Sequence, residues 1–178
     1  RQRGAARMNA TQRREIILSM LTQTNQPLSA STIAKECGVS RQIIVGDIAL
    51  LRASGEEISA TPRGYVLLRH EQNFFRKTIA CCHHDEMMAQ ELYIVVDNGC
   101  AVLDVTVEHP VYGEITAPLQ LSCRYDVDEF VRKMQENGAQ PLSLLTDGIH
   151  AHRLSADDED AFTRVLAVLR SKRMLLED

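Results

Sequence analysis

"SASTIAKECGVSRQIIVGDIALLRASG", residues 29–55, decides the fold of the first part of the chain. Two helical patterns meet at Gly38-Val39-Ser40. In the first, Ile33, Ala34 and Cys37 face inward, and Ser29 or Ser31 is placed to cap. In the second, Ser40 caps, and Ile44, Ile48 and Leu51 share one face. A short Gly-containing turn between two such helices is the helix–turn–helix arrangement, in which the second helix enters the major groove of DNA. Upstream, Ile16, Ile17, Met20 and Leu21 predict another helix, opening near Thr11 and Arg14-Glu15 and ended by Gln26-Pro27. Downstream, "EEISATPRGYVLL", residues 56–68, reads as a two-stranded wing with its turn at Pro62-Arg63-Gly64.

The N-terminal residues of a recognition helix are the ones that reach bases. Ser40, Arg41 and Gln42 stand there: Arg grips phosphate or guanine, and Gln pairs with adenine. Arg63 at the wing tip suits a phosphate or the minor groove. A helix–turn–helix also serves as a packing or protein-binding module, a reading that the wing arginine weighs against. Gly46 interrupts the second helix at a cost of about 1 kcal/mol relative to Ala.

Charge separates the chain into two parts. Residues 1–71 hold ten Lys/Arg and six Asp/Glu, net +4; residues 72–178 hold ten and eighteen, net −8. Only the first part is suited to a polyanion. The division places a DNA-binding domain at 1–70 and a second domain at 71–178, with the boundary near His70-Glu71-Gln72-Asn73. Composition is that of a globular chain, 44% hydrophobic and 25% charged. No apolar run approaches the roughly 18–20 residues of a membrane span. Five cysteines without paired spacing argue against a disulfide framework and for a reducing cytoplasm. Met8 is a candidate initiator, with residues 1–7 either an added stretch or a basic extension.

Beyond residue 71 the patterns alternate. "RKTIACC" predicts a strand, "HDEMMAQELYIVVDNG" a helix with Met88, Leu92 and Val95 on one face, and "AVLDVTVEH" and "EITAPLQLSC" two strands around the turn "PVYG". Asp126 with Glu129 has capping-box spacing for a helix running through Gln135 to Gly138. "LSLLTDGIHAHRL" reads as a hairpin around Asp147-Gly148. Ser155 with Asp158 opens the last helix, and "RMLL" is a candidate edge strand. This order implies an α+β layer, helices on one face of a mostly antiparallel sheet.

His150 and His152 sit at i and i+2, the same face of a strand. Such a pair is either an exposed polar stripe or half of a metal site. His83 ends a strand, and Glu91 lies about two turns into the following helix, so strand end and helix can converge as a second pair of donors. Three imidazoles and a carboxylate suit zinc, nickel or iron and not the oxygen-seeking magnesium or calcium. His84, the neighbour of His83, faces the other way. Cys81-Cys82 reads as a soft metal site or, more simply, as small residues buried on a strand; a set of three imidazoles and a carboxylate does not need the thiols.

"CCHHDEMMAQELYIVVDNG", "VTVEHPVYGEI" and "GIHAHRL" resemble the signatures of the three-histidine (3H) domain. With the winged helix they cover nearly the whole chain after Met8, and the combination resembles the NiaR-type repressors. That resemblance implies a repressor of NAD biosynthesis and niacin uptake genes that responds to nicotinic acid, with no enzyme activity. It places one divalent transition-metal ion, nickel or zinc, on His83, Glu91, His150 and His152. His109, Tyr112 and Glu114 belong to the "VEHPVYGE" motif; they either line an effector pocket or build a hairpin turn with Pro110 and Gly113. One reading module is small for a specific site, so a homodimer on palindromic DNA is expected. Two other readings stand. One is a metalloregulator whose signal is the ion itself. The other is a metal-dependent hydrolase with Asp85 or Glu86 as base; no nucleophile elbow, Gly-rich phosphate loop or His-Glu-x-x-His pattern accompanies it.

Overall fold

A computed structural model describes residues 8–68 and 74–177. Two compact units divide the chain, Arg1–His70 and Glu71–Asp178. The linker expected at His70–Asn73 lies outside the described residues, as do residues 1–7.

The first unit is built on three helices. α1 (Ala10–Thr22) starts one residue before Thr11, at an Asn9 cap whose side chain and that of Gln12 exchange hydrogen bonds with each other's backbone N–H. It ends at Thr22, four residues short of Gln26. α2 (Ala30–Cys37) is capped by Ser29 and closes at Gly38, whose φ of 64° is the left-handed value that glycine adopts without strain. α3 (Arg41–Ala53) is capped by Ser40. Ile17, Leu21, Ile33, Cys37, Ile44, Ile48 and Leu51 form the core, as their helical spacing predicts. Each such fully buried side chain contributes about 1.5–3 kcal/mol.

The wing pairs β1 (Ile58–Thr61) with β2 (Gly64–Leu67) antiparallel. It also holds an element that the sequence pattern did not reveal. Leu28, in the link before α2, exchanges both backbone hydrogen bonds with Tyr65, at 2.9 and 2.8 Å. The chain passes so close that a Cβ on Gly64 would lie 2.4 Å from the Leu28 carbonyl. Glycine is thus required in the wing by a close approach.

The second unit is a four-stranded sheet in the order β3-β6-β4-β5, every neighbouring pair antiparallel. Its strands are β3 (Phe75–Cys82), β4 (Cys100–His109), β5 (Gly113–Leu121) and β6 (Ile149–Ala156). α4 (Met88–Asp97), α5 (Arg124–Glu136) and α6 (Asp160–Ser171) share one core with it. Ile79, Leu92, Val95, Val102, Leu121, Leu154, Val165 and Leu169 make its centre. This is the α+β layer that the alternation of patterns predicts.

Four local expectations are corrected. The segment before Asp147-Gly148 is no strand: Leu142–Thr146 winds into a short 3-10 helix, and Gly148 N–H donates to the Ser143 carbonyl at 2.8 Å. β6 already has β3 on one edge and β4 on the other, so a preceding strand would find no edge to pair. α5 begins at Arg124, before Asp126; the buried Asp126 carboxylate turns back to accept from the backbone N–H and hydroxyl of Ser122, at 2.9 and 3.0 Å. Ser155 is strand, held by its partners Arg76 and Ala101, and α6 starts at Asp160 after Asp158 accepts from the Asp160 N–H. "RMLL" makes only a bridge, Leu175 to Cys81, flanked by hydrogen bonds from Cys82 to Met174 and from Leu176 to Ala80.

Candidate metal centre

Strand alternation sets the site. On β6 His150 and His152 both turn to the helix-covered face and are 5% and 4% exposed, so they are interior residues and not a surface stripe. Removing both therefore removes packing as well as nitrogen. His83 directly follows β3, two residues after Cys81, and its side chain is 5% exposed. His84 is exposed, as alternation requires. Glu91, in the first turn of α4, is 1% exposed and meets all three rings. His150 Nε2 lies 3.0 and 3.1 Å from its two carboxylate oxygens, His83 Nε2 meets Oε2, and His152 Nε2 meets Oε1.

The other ring nitrogens are tied to backbone. His83 Nδ1 donates to the His84 carbonyl at 2.8 Å, His150 Nδ1 to Gly148 at 2.8 Å, and His152 Nδ1 to Asp104 at 2.7 Å. A carbonyl only accepts, so each Nδ1 carries a hydrogen, and each neutral ring presents a bare lone pair at Nε2. Three lone pairs then converge on a carboxylate that offers only lone pairs of its own. Among the described residues, His83 Nε2 is a buried nitrogen that makes no regular hydrogen bond, although it lies against Glu91 Oε2.

The electrostatics follow. Burial pushes the Glu91 carboxyl up, but His152 and His150 outweigh it and hold it below the usual carboxylate range. Burial pushes His152 down, and the Glu91 charge more than reverses that. Protonation of a ring answers one negative charge; a divalent cation answers the carboxylate and all three lone pairs at once. The donor set, three nitrogens and a carboxylate in a buried site with their far nitrogens oriented, fits a borderline transition-metal ion such as zinc or nickel.

The sequence reading set one feature here aside, Cys81, and missed two, Gly148 and Asp104. Cys81 Sγ belongs to the cluster: it, a Glu91 oxygen and a His150 nitrogen all lie within 4.8 Å of one another. Burial, with the Glu91 charge added, pushes its thiol up. Gly148, at φ 90°, lies so close to His83 that a Cβ would stand 2.5 Å from the His83 carbonyl oxygen. Asp104, 2% exposed, takes Arg153 through 2.5 and 2.6 Å contacts while its own carbonyl orients His152. The signal for Cys81 was its i,i+2 relation to His83.

The "VEHPVYGE" residues stand apart from this cluster. His109 Nδ1 accepts from the backbone N–H of Val111 and Tyr112, at 3.1 and 3.2 Å, and so holds the β4–β5 turn. Tyr112 is 79% exposed beside the His109 ring. Glu114 lines a cavity of about 740 Å³ with Thr78, Thr106, Thr116, His150 and Arg153.

In the first unit Ser40 is committed to its cap, accepting from the Ile43 N–H at 3.4 Å. Arg41 and Gln42 are exposed in the first turn of α3. Arg63 sits in the wing turn, where its guanidinium reaches Gln26 at 3.5 Å and its N–H donates to Thr61 at 3.2 Å. Asp47 is buried among the apolar residues of α3 and is bound by Arg13, at 2.5 and 3.2 Å, and by Arg14 at 3.5 Å. Its position on the Ile44–Ile48–Leu51 stripe was the available sign.

No helix is long and apolar enough to cross a membrane among the described residues. Family models match an HTH domain over residues 13–66 and a 3H domain over residues 76–178. The chain is 40% identical over 171 residues to the "Transcription repressor NadR" of Bacillus subtilis (strain 168), covering 93% of this chain and 94% of that protein. It is 41% identical over 167 residues to the "Probable transcription repressor NiaR" of Thermotoga maritima, covering 94% and 95%. The chain thus belongs to the NadR/NiaR family of transcription repressors, DNA-binding regulators rather than enzymes, which join an HTH domain to a 3H domain.

Proposed function

We propose that this repressor binds the operators of NAD biosynthesis and niacin uptake genes in response to nicotinic acid, as a cytoplasmic homodimer with one divalent transition-metal ion, nickel or zinc, in each sensor domain. The observation that carries the sensor half is the convergence of three backbone-tethered imidazoles on the buried Glu91. His83, Glu91, His150 and His152 hold the ion. When bound, it supplies positive charge that an aromatic carboxylate or a pyridine nitrogen can use. The cavity beside His150 has the size of a small-molecule site, and Arg153, whose guanidinium already holds Asp104, stands on its wall.

DNA reading falls to the start of α3, with Arg41 and Gln42 on base edges and Ser40 shaping the turn that aims them. Arg63 holds backbone phosphate. His109 and Tyr112 act in the turn, and Glu114 faces the effector cavity. Effector and DNA are linked because a ligand that prefers one conformation of the sensor shifts the affinity for the operator by the same coupling.

The test is operator binding titrated with nicotinic acid, nicotinamide and metal ions in parallel. Nicotinic acid should change operator affinity in the metal-loaded protein, and nicotinamide, which lacks the carboxylate, should act far less. A response to metal with no response to nicotinic acid would make the ion itself the signal. Arg41→Ala or Gln42→Ala should cost about 1–3 kcal/mol per half-site and relax sequence preference. Unchanged operator affinity in both would sink the recognition-helix assignment.

A further inference from the structure

We propose that the metal centre has a sulfur donor, the Cys81 thiolate, in addition to its three imidazoles and carboxylate. The inference rests on the metal reading above and concerns which atoms complete it. Cys81 is fully buried, at 0% exposure, on the helix-covered face of β3. In the sheet register its Cα partner is His150, so the two side chains leave the same face side by side. Its sulfur, a Glu91 oxygen and a His150 nitrogen lie mutually within 4.8 Å, the scale of donors sharing one ion at bonds of about 2.0–2.3 Å.

A second observation marks the same spot. His83, two residues on and on the same side of the chain, brings its buried Nε2, which makes no regular hydrogen bond, against the same Glu91 carboxylate. The cluster thus converges from three directions: β3 and its end, β6, and α4. Cys82, the adjacent residue, points to the other face and is excluded by the same alternation. On coordination the S–H bond breaks, a sulfur–metal bond forms, and the proton passes to solvent. A set with one thiolate is softer than imidazole and carboxylate alone. It favours zinc, cobalt and nickel over manganese and magnesium.

The full-length metal-free protein titrated with Co²⁺ separates the two readings. Visible d–d bands report binding at the site, and a near-ultraviolet sulfur-to-cobalt charge-transfer band reports the thiolate. Both should saturate together at one ion per chain. The charge-transfer band should vanish in Cys81→Ser and persist in Cys82→Ser. Saturable d–d bands with no charge-transfer band, or a band that survives in Cys81→Ser, would overturn the sulfur donor and leave the metal site standing. Absence of both bands would overturn both. If Cys81→Ser fails to fold, X-ray absorption of the unaltered zinc-loaded protein decides. A sulfur scatterer near 2.3 Å supports the proposal, and a shell of nitrogen and oxygen alone near 2.0–2.1 Å overturns it.

Discussion

Asp47 in the first unit and Glu91 in the second are both buried acids, 3% and 1% exposed, set on helices among apolar neighbours. Asp47 is answered from within the fold by the permanent cation of Arg13, reinforced by Arg14. Glu91 is answered by imidazoles, which are neutral or charged according to conditions. A guanidinium that never loses its proton makes a fixed tie between two helices. A carboxylate ringed by lone pairs makes a place whose charge balance a proton or the proposed ion would complete. The first arrangement holds a DNA-binding unit in shape; the second is the place where the proposed ion would act.

The contrast breaks most sharply at Asp47. Asp47→Ala leaves Arg13, 14% exposed, without its partner and should cost the first unit about 3 kcal/mol. Denaturant unfolding should show the loss in the transition of that unit alone. A loss below about 1 kcal/mol would place the pair among ordinary surface bridges.

Metal removal comes next, and it should touch only the other unit. With free ion at about 100 times Kd, the second unit gains about 2.7 kcal/mol, which a chelator should abolish. An equal shift in both units would mean that the two charges are not handled separately.

The pH response should then change sign with the metal. In chelated protein, His152 is held above its ordinary value by Glu91. Its contribution is complete below about pH 6.5 and is lost as pH rises through the folded-state value. The contribution of Glu91, held below the carboxylate range, is constant at these pH values, since it is lost only as pH falls toward that lowered value. Metal-loaded protein should do the reverse, because protons compete with the ion for imidazole nitrogens. Stability measured near pH 6 and near pH 8, with and without chelator, reads both slopes; equal slopes would remove the imidazoles from the site.

The smallest expected effect is Gly46→Ala. A Cβ at Gly46 meets nothing within 4 Å, so the first unit should gain about 1 kcal/mol. A loss instead, in thermal unfolding of the same unit, would mean that α3 needs glycine there for its own shape.

The helices of the first unit were legible because their apolar residues recur at helical spacing and their caps are short polar side chains, Ser29 and Ser40. The strands of the second were legible by alternation. What failed was local reading at segments whose fate is set by partners far away. Asp147-Gly148 does turn, with φ of 50° and 90°, but no sheet edge was free for a second strand. Ser155 resembled a cap until its strand partners claimed it. The meeting of His83, Glu91, His150 and His152 was expected from spacing and resemblance; the place of Cys81 in it needed the β3–β6 register. The wing bridge through Leu28 and Tyr65 left no pattern to read, since a single pair of backbone hydrogen bonds has no side-chain signature.

Gly148 carries a consequence for time rather than affinity. Its bare Cα rests against the His83 backbone, and its carbonyl holds His150. His152 and His83 are moored to carbonyls of their own, so each ring must break a hydrogen bond to swing aside. On the proposed metal reading, release of an ion is expected to need the end of β3 and the start of β6 to part, and such backbone openings are far slower than side-chain rotation. Occupancy of the centre should therefore have a long memory, outlasting brief fluctuations in the supply of metal around it.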